Sequence, residues 1–289
     1  AYYLRRKVRY IEKLFIFKES LYDRDLEFGG DENLDRSGYR EAVKAGLASR
    51  VPVDYASFFQ KNNILLIGEN HIVQSHRREI LAHLDELKKA GVTHIFIEGI
   101  SANRQSQLDL FSKNMASDSD SVGTLSMEAF VRAKELGFSV IAMDMPASTI
   151  GGLKMIPLKY SDQIAAERDV FLRRRNRFMA QMIAKTLKRE PGAKIVAIVG
   201  AAHAHALHSP LIEKYQGSTS IAEELSLRHG AASITIRLID RNSDPDEVAA
   251  GLISEQRLNG QRFFIPLGPD GGLLHVLFQP HLSTLPIPE

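Results

Sequence analysis

A short β-branched apolar run that ends on glycine, with a histidine three residues further on, occurs twice. The first copy is Ile64-Leu65-Leu66-Ile67-Gly68-Glu69-Asn70-His71 and the second is Ile195-Val196-Ala197-Ile198-Val199-Gly200-Ala201-Ala202-His203. A continuous apolar run is the signature of a strand buried on both faces of a parallel sheet. Glycine lets the backbone turn as it leaves the sheet. The residues after it then stand at the carboxyl end of the strand, the edge on which open α/β sheets bind ligands.

The rest of the chain fits that reading. Strand-like runs at 64–68, 94–98, 138–143, 195–199 and 233–239 alternate with helix-like segments near 75–90, 103–112, 124–136, 162–188, 205–215 and 219–229. Such alternation predicts an α/β fold with a central, mostly parallel sheet flanked by helices. Arg262–Pro266 and Leu273–Phe278 flank Gly268-Pro269-Asp270-Gly271-Gly272, which predicts an antiparallel hairpin near the C-terminus. We place one α/β domain at 53–289, preceded by an N-terminal helical and loop extension at 1–52.

That extension begins with Arg5, Arg6, Lys7, Arg9, Lys13 and Lys18 around apolar residues at helical spacing. Two readings stand: a basic amphipathic helix that meets a membrane surface or a partner, and a helix docked on the body with a solvated basic face. An acidic stretch with Gly29-Gly30 follows as a loop, and Ser37 is placed to cap a helix through about Ala48.

Composition narrows the chemistry. The chain has no cysteine, so His, Asp and Glu are the strong metal ligands it can offer. Its net charge of +2 gives no basis for nucleic-acid binding. No run approaches the ~20 apolar residues of a membrane span, and the start lacks a signal-peptide core. The expectation is a soluble protein, of the bacterial cytoplasm or secreted without a Sec-type signal peptide.

Each early strand runs into a chemically capable residue: Glu69 and His71, then Glu98, then Asp144, then His203. Three carboxylates and two imidazoles are thus expected along one sheet edge. On the helix at 162–188, Phe171, Phe178, Met179, Met182 and Ile183 form an apolar stripe, and Arg175 falls on it. A guanidinium facing the core requires a counter-charge, and the strand-end carboxylates are its natural partners. Arg173, Arg174 and Arg177 point elsewhere, towards a solvated face.

These residues resemble those of the superfamily that unites erythromycin esterases, the haem-binding protein ChaN and the Tiki/TraB proteins. A related domain occurs in large bacterial toxins and in some plant-pathogen type III effectors. The resemblance covers roughly 53–280. Glu69 and His71 match its first motif, Glu98 its second-strand glutamate, Arg175 and Asn176 its helix motif, and His203 its second histidine. It implies an α/β fold; we take Glu69, His71, Glu98 and His203 as the candidate catalytic set and Arg175, Asn176, Asp144 and, at the start of the following helix, His205 as candidate substrate contacts. Members act on a macrolide lactone or a peptide bond, or bind haem, so a small-molecule or peptide substrate is implied, and a host protein partner for an effector.

Two hydrolytic mechanisms fit the residues. Without a metal, His71 in its neutral form is the general base on a water, Glu69 or Glu98 orients it, and His203 or Arg175 stabilises the oxyanion. With a divalent ion, zinc or manganese, the two histidines and two glutamates are its ligands. A third, non-enzymatic reading is an effector or ligand binder of the same fold. Haem ranks behind a divalent ion; His71, His203 and Tyr160 are its candidate axial ligands.

Overall fold

A computed structural model of the chain describes residues 36–71, 73–111, 121–146, 161–204, 219–240, 247–258, 262–267 and 272–277. The basic segment at 1–20, the acidic loop, Tyr160, His205 and the helix expected at 205–215 lie outside them. In chain order the elements are α1 (Arg36–Ala48), β1 (Val51–Pro52), a 3-10 turn (Ala56–Gln60), β2 (Ile64–Glu69), α2 (Gln74–Lys89), β3 (His94–Ser101) and α3 (Gln105–Leu110). There follow β4 (Ser121–Val122), β5 (Leu125–Ser126), α4 (Met127–Glu135), β6 (Ser139–Asp144), α5 (Ser161–Arg189) and β7 (Ile195–Gly200). The last are α6 (Ile221–His229), β8 (Ile234–Asp240), α7 (Glu247–Glu255), β9 (Phe263–Pro266) and β10 (Leu273–Leu277).

Eight strands form one sheet in the order β1-β9-β10-β8-β2-β7-β3-β6, and β4 and β5 make a separate two-stranded ribbon. From β10 to β6 all neighbours are parallel. The antiparallel pairs are confined to one edge, where β9 joins β10 and β1 joins β9. The fold is therefore α/β, with the expected hairpin on the flank.

Every residue of β2 and β7 is buried, because their alternating side chains feed two different cores. Leu65, Ile67, Val196 and Ile198 pack with Ile80, Leu84 and Leu87 of α2 and with Phe130 of α4. Ile64, Leu66, Ile195 and Ala197 pack with Met179 and Ile183 of α5 and with Ile221 and Leu225 of α6. A third core joins Tyr39, Val43 and Leu47 of α1 to Leu252 and Ile253 of α7 and to Phe263 and Ile265 of β9. A Cβ at Gly46 would stand 2.1 Å from the Pro266 carbonyl oxygen, so glycine lets α1 lie against the strand. Both α1 and β1 precede residue 53, yet they pack into the same sheet as the strands that follow.

Candidate active site

The backbone diverges between two neighbouring strands. β2 leads into α2 on one face, whereas β7 leads on towards α6 on the other, so a crevice opens at their shared carboxyl edge. That is the position at which doubly wound sheets bind ligands. Glu69 ends β2, Gly200 ends β7, Asp144 ends β6, and Glu98 stands where the β3–β6 register shifts between Ile97 and Ser101.

The two glycine–histidine copies interlock here. A Cβ on Gly68 would meet the Ala204 Cβ at 3.1 Å and the Ala201 Cα at 3.3 Å, so the first glycine makes room for the turn of the second copy. A Cβ on Gly200 would stand 2.9 Å from His71 Nε2 and 3.4 Å from Glu98 Oε2, so the second glycine is the seat of the first histidine. The Ala201 amide donates to the Glu69 carbonyl at 2.9 Å and clamps the turns together. Behind Glu98, the turn between β4 and β5 presses so close that a Cβ on Gly123, whose φ is +58°, would fall 2.3 Å from the Glu98 carbonyl oxygen. Thr124 donates its amide to that oxygen at 3.2 Å and its hydroxyl to the Ile198 carbonyl at 3.0 Å, pinning the bulge.

The side chains form one connected network. His71 Nδ1 lies 2.6 Å from Glu69 Oε1, and His71 Nε2 lies 3.9 Å from Glu98 Oε2. Glu98 Oε2 accepts the Gly200 N–H at 2.7 Å; Glu98 Oε1 accepts from Arg175 Nη2 at 2.5 Å and stands 3.0 Å from His203 Nε2. Arg175 Nε donates to Asp144 Oδ1 at 3.0 Å, which also takes the Met145 N–H at 2.8 Å. His203 Nδ1 meets Asn176 Oδ1 at 2.5 Å, and Asn176 Nδ2 donates to the Thr219 carbonyl at 2.7 Å. Ser220 caps α6 through a reciprocal pair with Glu223, which fixes the chain beside Thr219.

Glu69, His71, Glu98 and His203 therefore converge around Glu98. Arg175, Asn176 and Asp144, expected to touch substrate, are buried, with Arg175 bonded to Glu98 and Asp144, and Asn176 to His203. Arg175 and His203 both lie against Glu98 Oε1 and are buried. Arg174 and Arg177 are exposed, as expected.

Burial opposes a charged ring at His71, but the Glu69 carboxylate, its hydrogen bond and the Glu98 carboxylate outweigh it and raise His71 to about 9. The charged ring is therefore favoured at neutral pH, against the expectation that His71 rests in its basic form. Burial also works against an ionised Glu98, yet His203, Arg175 and His71 hold its carboxyl well below the usual range. At His203 burial outweighs the pull of Glu98 and lowers the ring below its ordinary value.

The donors do not fit a divalent ion. Arg175 puts a cation between Glu98 and Asp144, Glu98 is committed to N–H partners, and His203 has Asn176 on one nitrogen and Glu98 on the other. Among the described residues no group of three or more His, Asp or Glu side chains is arranged to hold a metal.

Sequence reasoning passed over Asp240, although β8 runs into it just as β6 runs into Asp144. It is fully buried on the same edge and accepts the Ser75 hydroxyl. Next to it His76 Nδ1 accepts the Asn70 amide at 2.9 Å, which holds the turn that carries His71. Burial pushes the His76 ring down to about 4, so it stays neutral.

No family model and no curated protein matches the sequence. Among solved structures the chain is similar to the type III effector HopBA1, with 14% identity over 76% of this chain and 90% of that one, at a TM-score of 0.45. It is similar to the haem-binding ChaN of Campylobacter jejuni, with 11% identity over 78% and 93% and a TM-score of 0.46. It is also similar to the erythromycin esterase EreC, with 10% identity over 65% and 72% and a TM-score of 0.43. Bacterial toxins among the matches are much longer, the chain covering 39% of one and 40% of another. The chemistry rests on the geometry above.

Proposed function

We propose that the chain is a hydrolase of an ester or amide bond in which His71 moves the proton. One observation carries this. Of the network described, His71 alone is substantially open, its side chain 37% accessible, while Glu69, Glu98, Arg175 and His203 are all below a tenth. Its Nδ1 is tied to Glu69, so Nε2 is the nitrogen left for substrate.

In the reaction so read, the neutral ring takes a proton from water through Nε2 as the water oxygen bonds to the carbonyl carbon. Glu69 stabilises the imidazolium that results. The ring then returns the proton to the leaving oxygen or nitrogen as the bond to the carbonyl carbon breaks, giving acid plus alcohol or amine. Glu98, held by Arg175 and the Gly200 N–H, fixes the floor of the site. No step requires a metal.

The test is hydrolysis of a panel of activated p-nitrophenyl esters and peptide amides by the wild type and by His71→Ala. Loss of a positioned base costs ~10²–10⁴ in rate; the loss of the His71–Glu69 pair also lowers the melting temperature, so rates are compared well below it. A variant that keeps the full rate sinks the proposal. If no substrate in the panel is cleaved and His71→Ala keeps the biological output, a non-catalytic binding role, including that of an effector with a host partner, replaces it.

A further inference from the structure

The beginning of α2 grips the backbone on both sides of His71. The Asn70 carbonyl accepts the Val73 N–H at 3.0 Å, so His71 stands at the start of a hydrogen-bonded turn. Three consecutive side chains of α2 fix that turn in place. Ser75 donates its hydroxyl to Asp240 at the end of β8, His76 Nδ1 stands 2.9 Å from the Asn70 amide nitrogen, and Arg77 Nη2 donates to the His71 carbonyl.

A backbone N–H only donates, so His76 Nδ1 must present its lone pair and the ring proton must sit on Nε2. Charging the ring would set a second proton against the Asn70 N–H. Packing alone does not account for an imidazole here. His76 is fully buried, four and eight residues before Ile80 and Leu84 on the same face of α2, and its Nε2 has no hydrogen-bond partner among the described residues. An apolar side chain of similar size would leave no buried ring N–H unmet. What the imidazole does that such a side chain cannot is accept the Asn70 amide.

We propose that His76 is a positioning residue: its Nδ1 lone pair, through the Asn70 amide, holds the turn so that the His71 ring meets Glu69, and thereby sets the pH at which His71 gives up its proton. The Glu69–Asn70 peptide separates the two partners of the 2.6 Å contact, so a rotation of that peptide plane moves one against the other. His76 acts here by geometry and not by charge. Burial lowers its ring to about 4, with Asp240 and Arg237 of β8, His275 of β10 and Glu79 of α2 the titratable groups around it. It is therefore neutral throughout the range in which His71, raised to about 9, titrates. This inference rests on the reading of His71 as the proton-moving group for its use, but its test is independent of turnover.

The experiment is long-range proton–nitrogen NMR of the whole chain labelled with ¹⁵N-histidine, titrated without substrate, with His71→Ala and His76→Asn assigning the two rings. In the wild type His76 is expected to carry its proton on Nε2 alone at neutral pH. His76→Leu keeps the bulk but removes the acceptor, and should move the His71 midpoint down by about one pH unit or more, the weight of a hydrogen bond to a charged group. His76→Asn leaves a cavity and loses stability, yet its side-chain oxygen is bonded to Cγ as Nδ1 is, so it should keep the His71 midpoint near the wild-type value. The midpoint then follows the acceptor and not the stability. A wild-type His76 protonated on Nδ1 overturns the proposal, as does a His76→Leu protein whose His71 midpoint is unmoved, or a His76→Asn protein whose midpoint falls by that unit. Should His76→Leu fail to fold, the wild-type tautomer and the His76→Asn midpoint still decide. A failed ester panel with these spectra as expected would overturn the hydrolase reading alone.

Discussion

Gly200→Ala is the sharpest test of the interlocked glycines. Gly200 lies in a strand with no positive φ, so alanine fits the backbone, and the substitution alone should stabilise by ~0.4–1 kcal/mol through the unfolded chain. The added methyl, however, would stand 2.9 Å from His71 Nε2 and 3.2 Å from its Cε1. Those atoms are the tip of a half-open side chain and must retreat by roughly 0.5 Å or more to reach ordinary van der Waals contact. The 2.6 Å bond to Glu69 does not survive such a swing. The variant should therefore stay folded, bring the His71 midpoint down from about 9 towards the ordinary value, lose the stability that this raised midpoint supplies at low pH, and lose on the order of 10²-fold in rate, as an ångström-scale misplacement does. Gly68→Ala is the control with the opposite outcome. Its methyl would meet Ala204 Cβ and Ala201 Cα, which have no flexible end to withdraw, so stability should fall by about 1–3 kcal/mol. Calorimetry and NMR titration of the pair read both effects. A Gly200→Ala protein with His71 still near 9 and full activity refutes the seating of His71 on Gly200.

Other outcomes follow from the charges. Because the folded His71 value lies above the ordinary 6.5, the stability it adds is complete below about pH 6.5 and is lost as pH climbs through about 9. Denaturant titrations at both ends, with His71→Ala as the flattened control, measure this, and the hydrolytic rate should rise with pH over the same window. His76 and His275 behave oppositely: burial lowers both to about 4, so stability should drop as pH falls from 6.5 towards 4, by on the order of 2 kcal/mol each at pH 5. Urea unfolding at pH 7 and 5 checks the sum, and an unchanged midpoint would refute neutral burial. Arg175→Met strands Glu98 and Asp144 in the core and should cost about 3–5 kcal/mol, whereas exposed Arg174→Met should stay within ~0.5 kcal/mol. Equal melting temperatures for the two would contradict the pairing.

The strands and the long helix were legible because apolar runs buried on two faces leave a strong imprint, and Arg175 was legible because a cation on an apolar stripe needs a counter-charge. The choice of Glu98 over Glu69 as its partner was not. It depends on β7 lying between β2 and β3, a long-range pairing that local pattern does not encode. For the same reason Gly200 reads as a turn residue in sequence, whereas its neighbour in space, His71, gives it its role. The helix Glu247–Glu255 escaped notice because Gly251 interrupts a short apolar stretch, and the ribbon Ser121–Ser126 has strands too short to show a period. The charge on His71 follows from a 2.6 Å contact that no spacing rule contains.

The insertion of β7 also governs how the molecule is built. β2 and β3 are consecutive strands that never touch; each pairs with β7, with Ile64 and His94 both aligned on Ile195. A chain emerging in order must keep a slot between its first two central strands until the segment at 195–200 arrives, leaving two apolar edges exposed meanwhile. Such non-local closure makes folding slow. It also ties recovery of the His71 site after denaturation to one event: the strand that enters between β2 and β3 carries Gly200 with it, so no chain lacking that strand holds a seated His71.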